Sequence, residues 1–142
     1  MKYVYNDGGR TAAGFKGDTG DCSTRAIAIA TGRPYREVYD TLNASAKSIR
    51  PSKRHPKGHG SARTGVSTKV LHDYFKAIGW RWVACMGIGT GTKVHLKADE
   101  LPSGKIVCRV TGHVVAVIDG IAHDTYNCSR GGTRAVYGYW TK

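Results

Sequence analysis

No stretch of the 142-residue chain approaches the roughly 18 consecutive apolar residues that a membrane-spanning helix needs. The opening MKYVYNDGGRTAAG also lacks the apolar core of a secretory signal and turns polar within a few residues. Both absences predict a soluble protein that stays in the cytoplasm where it is made, in a bacterium or a phage-infected host. There is no C-x-x-C pair, which argues against a zinc ribbon or a thioredoxin-type redox site. The four cysteines, Cys22, Cys85, Cys108 and Cys128, are widely spaced and should stay free thiols in a reducing compartment. Acid is scarce: 10 Asp and Glu face 22 Lys and Arg, leaving a formal charge of +12. Such an imbalance draws the protein toward something anionic, such as nucleic acid or an acidic protein, and says nothing about fold.

What is present is enough for a folded core, with 40% hydrophobic residues and three tryptophans. No internal repeat and no long linker divides the chain, so residues 1–142 read as one domain. The first 20 residues hold five glycines and no periodicity, and read as an irregular lead-in. A helix is expected from Cys22, with Asp21 or Ser23 as N-cap and Gly32 as its stop. Its AIAIA run should be buried on most sides. A second helix follows Pro34, with Tyr35, Val38, Tyr39 and Leu42 at helical spacing, fading over 43–48. Lys47 to Arg63 contains six Lys/Arg, two His and no acid, broken by Pro and Gly, and reads as a flexible basic loop. A third helix is predicted over about Val66 to Ile78, ended by Gly79.

From there the pattern turns to strands: 80–85, 93–96, 105–110, 113–118, 121–126 and 135–140. Helices first and strands afterwards predict an α+β domain, with N-terminal helices packed on a C-terminal antiparallel sheet. Trp80, Trp82, Tyr137, Tyr139 and Trp140 are then core and sheet-face residues in preference to a base-stacking platform.

Two segments carry chemistry when read together. A thiol opening a helix, as Cys22 does, feels unpaired backbone N–H groups and the positive end of the helix dipole, and both favour thiolate. An isolated cysteine would more often be a small buried residue. The second segment is GHVVAVIDGIAHDTYN, residues 112–127. Asp119-Gly120 between apolar runs signals a two-residue hairpin turn, which fixes the register. Ile118 then faces Ile121, Val115 faces Asp124 and His113 faces Tyr126. His113 and Asp124 share a sheet face as diagonal neighbours, while His123 and Thr125 point the other way. This is a base with its orienting carboxylate. A three-residue turn would instead bring Asn127 to the His113 side.

The segments GDCSTRAIA, GHVVAVIDG and AHDTYN, in this order over residues 18–127, resemble the papain-like cysteine peptidase superfamily. The likeness is to its small bacterial and phage members, such as the bacteriocin-processing peptidase-like domains. The resemblance implies a papain-like fold and a Cys22, His113, Asp124 triad acting by acyl transfer through a thioester, with no cofactor. Such families usually place a Gln before the Cys to complete the oxyanion hole. The upstream FKGDTGD has none, so Asp18, Thr19 or a backbone N–H near Gly20 would have to serve.

Other signals compete. His55 and His59 have a metal-ligand spacing, but Pro56 and Gly58 oppose a helix and no acid or thiol lies near, so no metal site is predicted. The basic stretch, with Arg50, Lys53, Arg54, Lys57 and Arg63, is a solvated segment or a docking surface for nucleic acid or an acidic protein. Two functions follow: a cysteine hydrolase acting on peptide bonds, or an inactive papain-like fold serving as a basic binding protein, for instance a phage accessory protein.

Overall fold

The computed structural model describes residues 1–17, 19–86 and 91–142. Three helices precede most of a six-stranded mixed sheet. Helix α1 (Cys22–Thr31) stops where Gly32 turns left-handed at φ 72° and donates its N–H to the Ala28 carbonyl. Helix α2 (Tyr35–Ser48) begins at Pro34 and buries Tyr35, Val38, Leu42 and Ala46 at the expected spacing. After a short hairpin, β2 (Gly60–Ser61) and β3 (Gly65–Val66), helix α3 (Thr68–Ala77) buries Val70, Leu71, Tyr74 and Phe75.

The remaining strands are β4 (Arg81–Ala84), β5 (Lys105–Val110), β6 (His113–Ile118), β7 (Ile121–Asp124) and β8 (Val136–Thr141). With β1 (Tyr3–Tyr5) they run in the order β1-β7-β6-β5-β8-β4. Both faces of the sheet are covered, which explains why β5 and β6 are nearly continuous apolar runs. Val107, Val114, Ala116 and Trp140 pack under the helices. Ile106, Cys108, Val115, Val117, Ala122 and Val136 pack on the opposite face with Leu96 and Cys128. Trp140 stacks on Phe75, with ring centroids 4.7 Å apart, and meets Trp82 at the same distance. Gly138 makes room for that layer: a Cβ there would lie 2.3 Å from the Trp82 ring.

Three expectations are corrected. The lead-in is not wholly irregular, because Tyr3–Tyr5 pairs parallel to β7 and makes the sheet mixed where an antiparallel one was predicted. The 93–96 segment forms no strand; His95 makes a single bridge to Ala135, and Leu96 is buried beneath the sheet. The 47–63 stretch is not a loop throughout, since α2 runs to Ser48 and β2 occupies its end. His59 anchors it from inside, with Nδ1 2.7 Å from Ser67 Oγ and Nε2 3.2 Å from the Arg50 carbonyl oxygen. No helix is long and apolar enough to cross a membrane among the described residues.

A buried ionic cluster ties the lead-in to the helices. Asp21, 1% exposed, occupies the N-cap position of α1 without capping it. Its carboxylate instead accepts from Arg10 Nη1 at 2.8 Å, from the Tyr35 hydroxyl at 2.5 Å and from Arg25. Arg10 also donates to the carbonyls of Lys16 and Gly17, which folds the lead-in around its guanidinium. Removing one member of such a buried set leaves charges uncompensated. Asp21→Ala is therefore expected to cost about 3–5 kcal/mol, measured as a lowered urea midpoint with unchanged slope.

Candidate active site

Cys22 is the first residue of α1 and lines a cleft of about 470 Å³ together with His113. No acidic side chain sits in the first turn and no side chain caps the helix, so its first N–H groups lack a capping acceptor at the end that lines the cleft. Gly20 forms part of the wall, where its backbone passes so close to the β2–β3 turn that a Cβ would lie 2.8 Å from the Thr64 carbonyl oxygen.

His113 opens β6 and Asp124 closes β7. The turn between these strands contains two residues, Asp119 and Gly120, with φ of 49° and 77°. Positive φ at both positions is the type I′ requirement. The ladder pairs Ile118 with Ile121, Val117 with Ala122 and Ala116 with His123, so the register is that of a two-residue hairpin. Asp124 thereby falls on the His113 side, and its Oδ2 lies 2.6 Å from His113 Nε2. The carboxylate is fixed on two further sides, by the Thr125 N–H at 2.7 Å and by Arg25 Nη2 at 3.4 Å. With Nε2 committed to Asp124, Nδ1 is the ring nitrogen left to serve a thiol. The Tyr126 ring stands 5.4 Å from the imidazole, covering it from the solvent side.

The electrostatics lower the thiol and raise the imidazole. Burial pushes the Cys22 thiol up, but the hydrogen bond and charge of His113, the Val114 N–H and the Arg25 charge outweigh it and bring the thiol below its ordinary value. Burial pulls His113 down, yet hydrogen bonds with Asp124, Cys128 and Cys22 overcome this and hold its pKa at about 11. Asp124 is likewise pushed up by burial and brought below the usual carboxylate value by His113, Thr125 and Arg25. His113 therefore favours ionisation of Cys22, and Asp124 favours protonation of His113, relative to the isolated groups.

The other expected residues fall in varied places. Thr19 lines the cleft, and its hydroxyl oxygen accepts from Arg10 Nη1 at 2.9 Å, leaving the hydroxyl proton free to donate. Asp18 lies outside the described residues. Asn127 does not orient His113: it is exposed, and its carboxamide oxygen caps its own turn through the Ser129 N–H and hydroxyl. Arg50, Lys53, Arg54, Lys57 and Arg63 are all exposed, and of these Arg54 reaches a groove. The His55 and His59 rings lie 4.7 Å apart, but both His59 nitrogens are already engaged.

Arg25 is the functional residue that sequence reasoning missed. It bridges Asp21 and Asp124, joining the residue before the thiol to the acid of the hairpin. The signal was available as a lone charge inside the apolar run CSTRAIAIA. With Arg10, Arg25 also matches the negative charge of Asp21 beside the thiol, so that Asp21 is held by two guanidinium groups. Cys128 was missed too. His113, Asp124 and Cys128 present their donor atoms within 4.8 Å of one another. The 2.6 Å imidazole–carboxylate contact is shorter than the roughly 3.3 Å edge between two ligands of one tetrahedral zinc ion, and is that of a hydrogen bond. Cys128 is 1% exposed and does not line the cleft, so Cys22 is the thiol a substrate can meet.

Comparisons with protein-family models, curated proteins and solved structures return no match for this chain. The class of the site therefore rests on its geometry and chemistry. Iodoacetamide should alkylate Cys22 ahead of Cys85 and Cys108, whose thiols burial pushes up. Because the Cys22 pKa is lowered, its rate should hold steady as pH falls below the ordinary thiol range. The rate should drop only when acid reprotonates the thiolate. Peptide mapping across a pH series would read this, and equal slow labelling of all four cysteines would refute it.

Proposed function

We propose that the protein is a thiol hydrolase of papain-like architecture, a peptidase working through Cys22, His113 and Asp124. The observation carrying this reading is the buried His113–Asp124 pair at 2.6 Å in the same cleft that the helix-opening Cys22 lines, where His113 brings the thiol below its ordinary value. In the first half-reaction the Cys22 thiolate adds to the substrate carbonyl carbon. The oxyanion is met by the N–H groups opening α1 and by the Thr19 hydroxyl, which stands in for an absent glutamine side chain; the chain contains no glutamine. Imidazolium Nδ1 then gives its proton to the leaving amine, and a thioester remains on Cys22. In the second half, neutral His113 takes a proton from water, which attacks the thioester and releases the acid with the thiolate restored. Asp124 keeps the ring in one tautomer and stabilises the imidazolium in both halves.

A second reading, supported by the formal charge of +12 and the exposed Lys53, Arg54 and Lys57, is a basic binding protein that has kept this fold without turnover. The two readings diverge at Cys22. Under the hydrolase reading, intact-mass spectrometry during turnover of a peptide library should find an acyl adduct on Cys22. His113→Ala should lower the rate by about 10²–10⁴, with a smaller loss for Asp124→Asn. Cleavage that survives Cys22→Ala, or capture of an anionic partner unchanged by Cys22→Ala with no acyl adduct on the native protein, would overturn it.

A further inference from the structure

The cleft at Cys22 does not end at the catalytic residues. Thr68, at the start of α3, and Arg109, on β5, line it and also line a neighbouring groove of about 580 Å³. The two depressions therefore meet at these residues. On the other side the cleft shares Thr19, Arg25 and Tyr126 with a third depression of about 530 Å³ that reaches Asp7, Arg10 and Asp21. The thiol cleft thus adjoins both neighbouring depressions through shared wall residues.

The two arms differ in charge. In the Arg10 arm the cations face carboxylates: Asp21 holds both Arg10 and Arg25, and Asp7 lines the same wall. The Arg109 arm is lined by Arg54, Lys69 and Arg109, with His55 beside them, and no carboxylate lines it among the described residues. Lys69 is partly answered by Asp73 at 3.1 Å. Arg109 and Arg54 have no carboxylate within salt-bridge distance among the described residues. Arg109 is held in place by stacking over the Tyr137 ring, 5.3 Å from its centroid, which fixes its position without neutralising it. Opposite it, β6 contributes Val114, which is apolar. A half-buried guanidinium fixed by an aromatic ring at the edge of a thiol cleft is built to receive an anion.

We infer that the substrate is an acidic peptide, bound with a Glu or Asp side chain in the Arg109–Arg54 arm a few residues from the bond attacked by Cys22. This inference rests on the hydrolase reading and adds the substrate class to it. A nucleic acid would also be attracted by these cations, but the arm shares Thr68 and Arg109 with the Cys22 cleft, which the hydrolase reading gives to a peptide. An extended polypeptide accounts for both the charge and the continuity with Cys22.

The test uses peptidyl vinyl sulfones with the electrophile placed mid-peptide, in matched pairs carrying Glu or Gln at each position on either side. The thiolate adds to the vinyl carbon β to the sulfonyl, and the α carbon takes the proton from imidazolium, so labelling needs no leaving group and no turnover. At one position the Glu probe should label Cys22 about tenfold faster than its Gln twin at low salt, with the ratio shrinking as salt rises. The ratio should fall toward one in Arg109→Gln, and partway in Arg54→Gln, which alters an exposed residue and leaves the core untouched. Equal rates for every Glu and Gln pair, with Cys22 still labelled, would overturn the acidic-peptide inference and leave the hydrolase reading standing. Failure of every probe to label Cys22 would overturn the hydrolase reading and the inference with it. Equal Glu and Gln rates, together with loss of all labelling on adding a short single-stranded oligonucleotide, would assign the arm to nucleic acid instead.

Discussion

The Arg25 guanidinium is the joint on which the site depends. It leaves α1 one turn after Cys22 and spans two carboxylates, Asp21 before the thiol and Asp124 at the end of β7. One helix, the lead-in and one hairpin are thereby fixed to a single planar cation. Arg10 and Tyr35 complete the shell of Asp21 and bring α2 into the same contact. Burying so many charges is costly unless each is paired, and a set paired this closely has few alternative arrangements. Its chief effect is geometric: the thiol end of the helix and the acid end of the hairpin cannot drift apart while Arg25 bridges them.

That constraint also accounts for the charge state of the thiol. A carboxylate next to a nucleophilic cysteine would ordinarily oppose thiolate formation. Here the Asp21 charge is taken up by two guanidinium groups, and His113, the Val114 N–H and Arg25 outweigh the burial that opposes ionisation of Cys22. Asp124 serves two masters, the imidazole and Arg25, and the Thr125 N–H satisfies a further lone pair. A carboxylate held on several sides stays ionised and stays still, which is what orienting a base requires.

Much of this was legible in the sequence because it rests on short-range rules. The I′ turn at Asp119-Gly120 sets its own geometry, and period-two alternation then places Asp124 beside His113 without knowledge of the rest of the chain. The three helices were visible in their spacing and in Gly32 and Pro34. What escaped was long-range. Tyr3–Tyr5 is too short and too polar in its surroundings to announce a strand, and it becomes one through pairing with β7. KVHL at 93–96 has strand composition but follows its buried Leu96, not a ladder. His59 looked like part of a solvated loop and proved to be a buried anchor, because its partners Ser67 and Arg50 are known only once the chain folds back. Arg25 and Arg10 belong to the same kind: a pairing between residues 99 positions apart leaves no periodic trace.

The edge position of β1 carries a mechanical consequence. Its last residue, Tyr5, is paired with Asp124, and the Asn6 N–H donates to the Asp124 carbonyl at 2.9 Å. Tension applied through the N-terminus, from a surface tether or a fused neighbour, is passed along this edge strand to the backbone of Asp124 before it reaches any helix. Tension applied through the C-terminus enters β8, whose ladders to β4 and β5 spread it across the far half of the sheet. The two ends of the chain are therefore unequal handles, and the N-terminal one is coupled directly to the acid of the site.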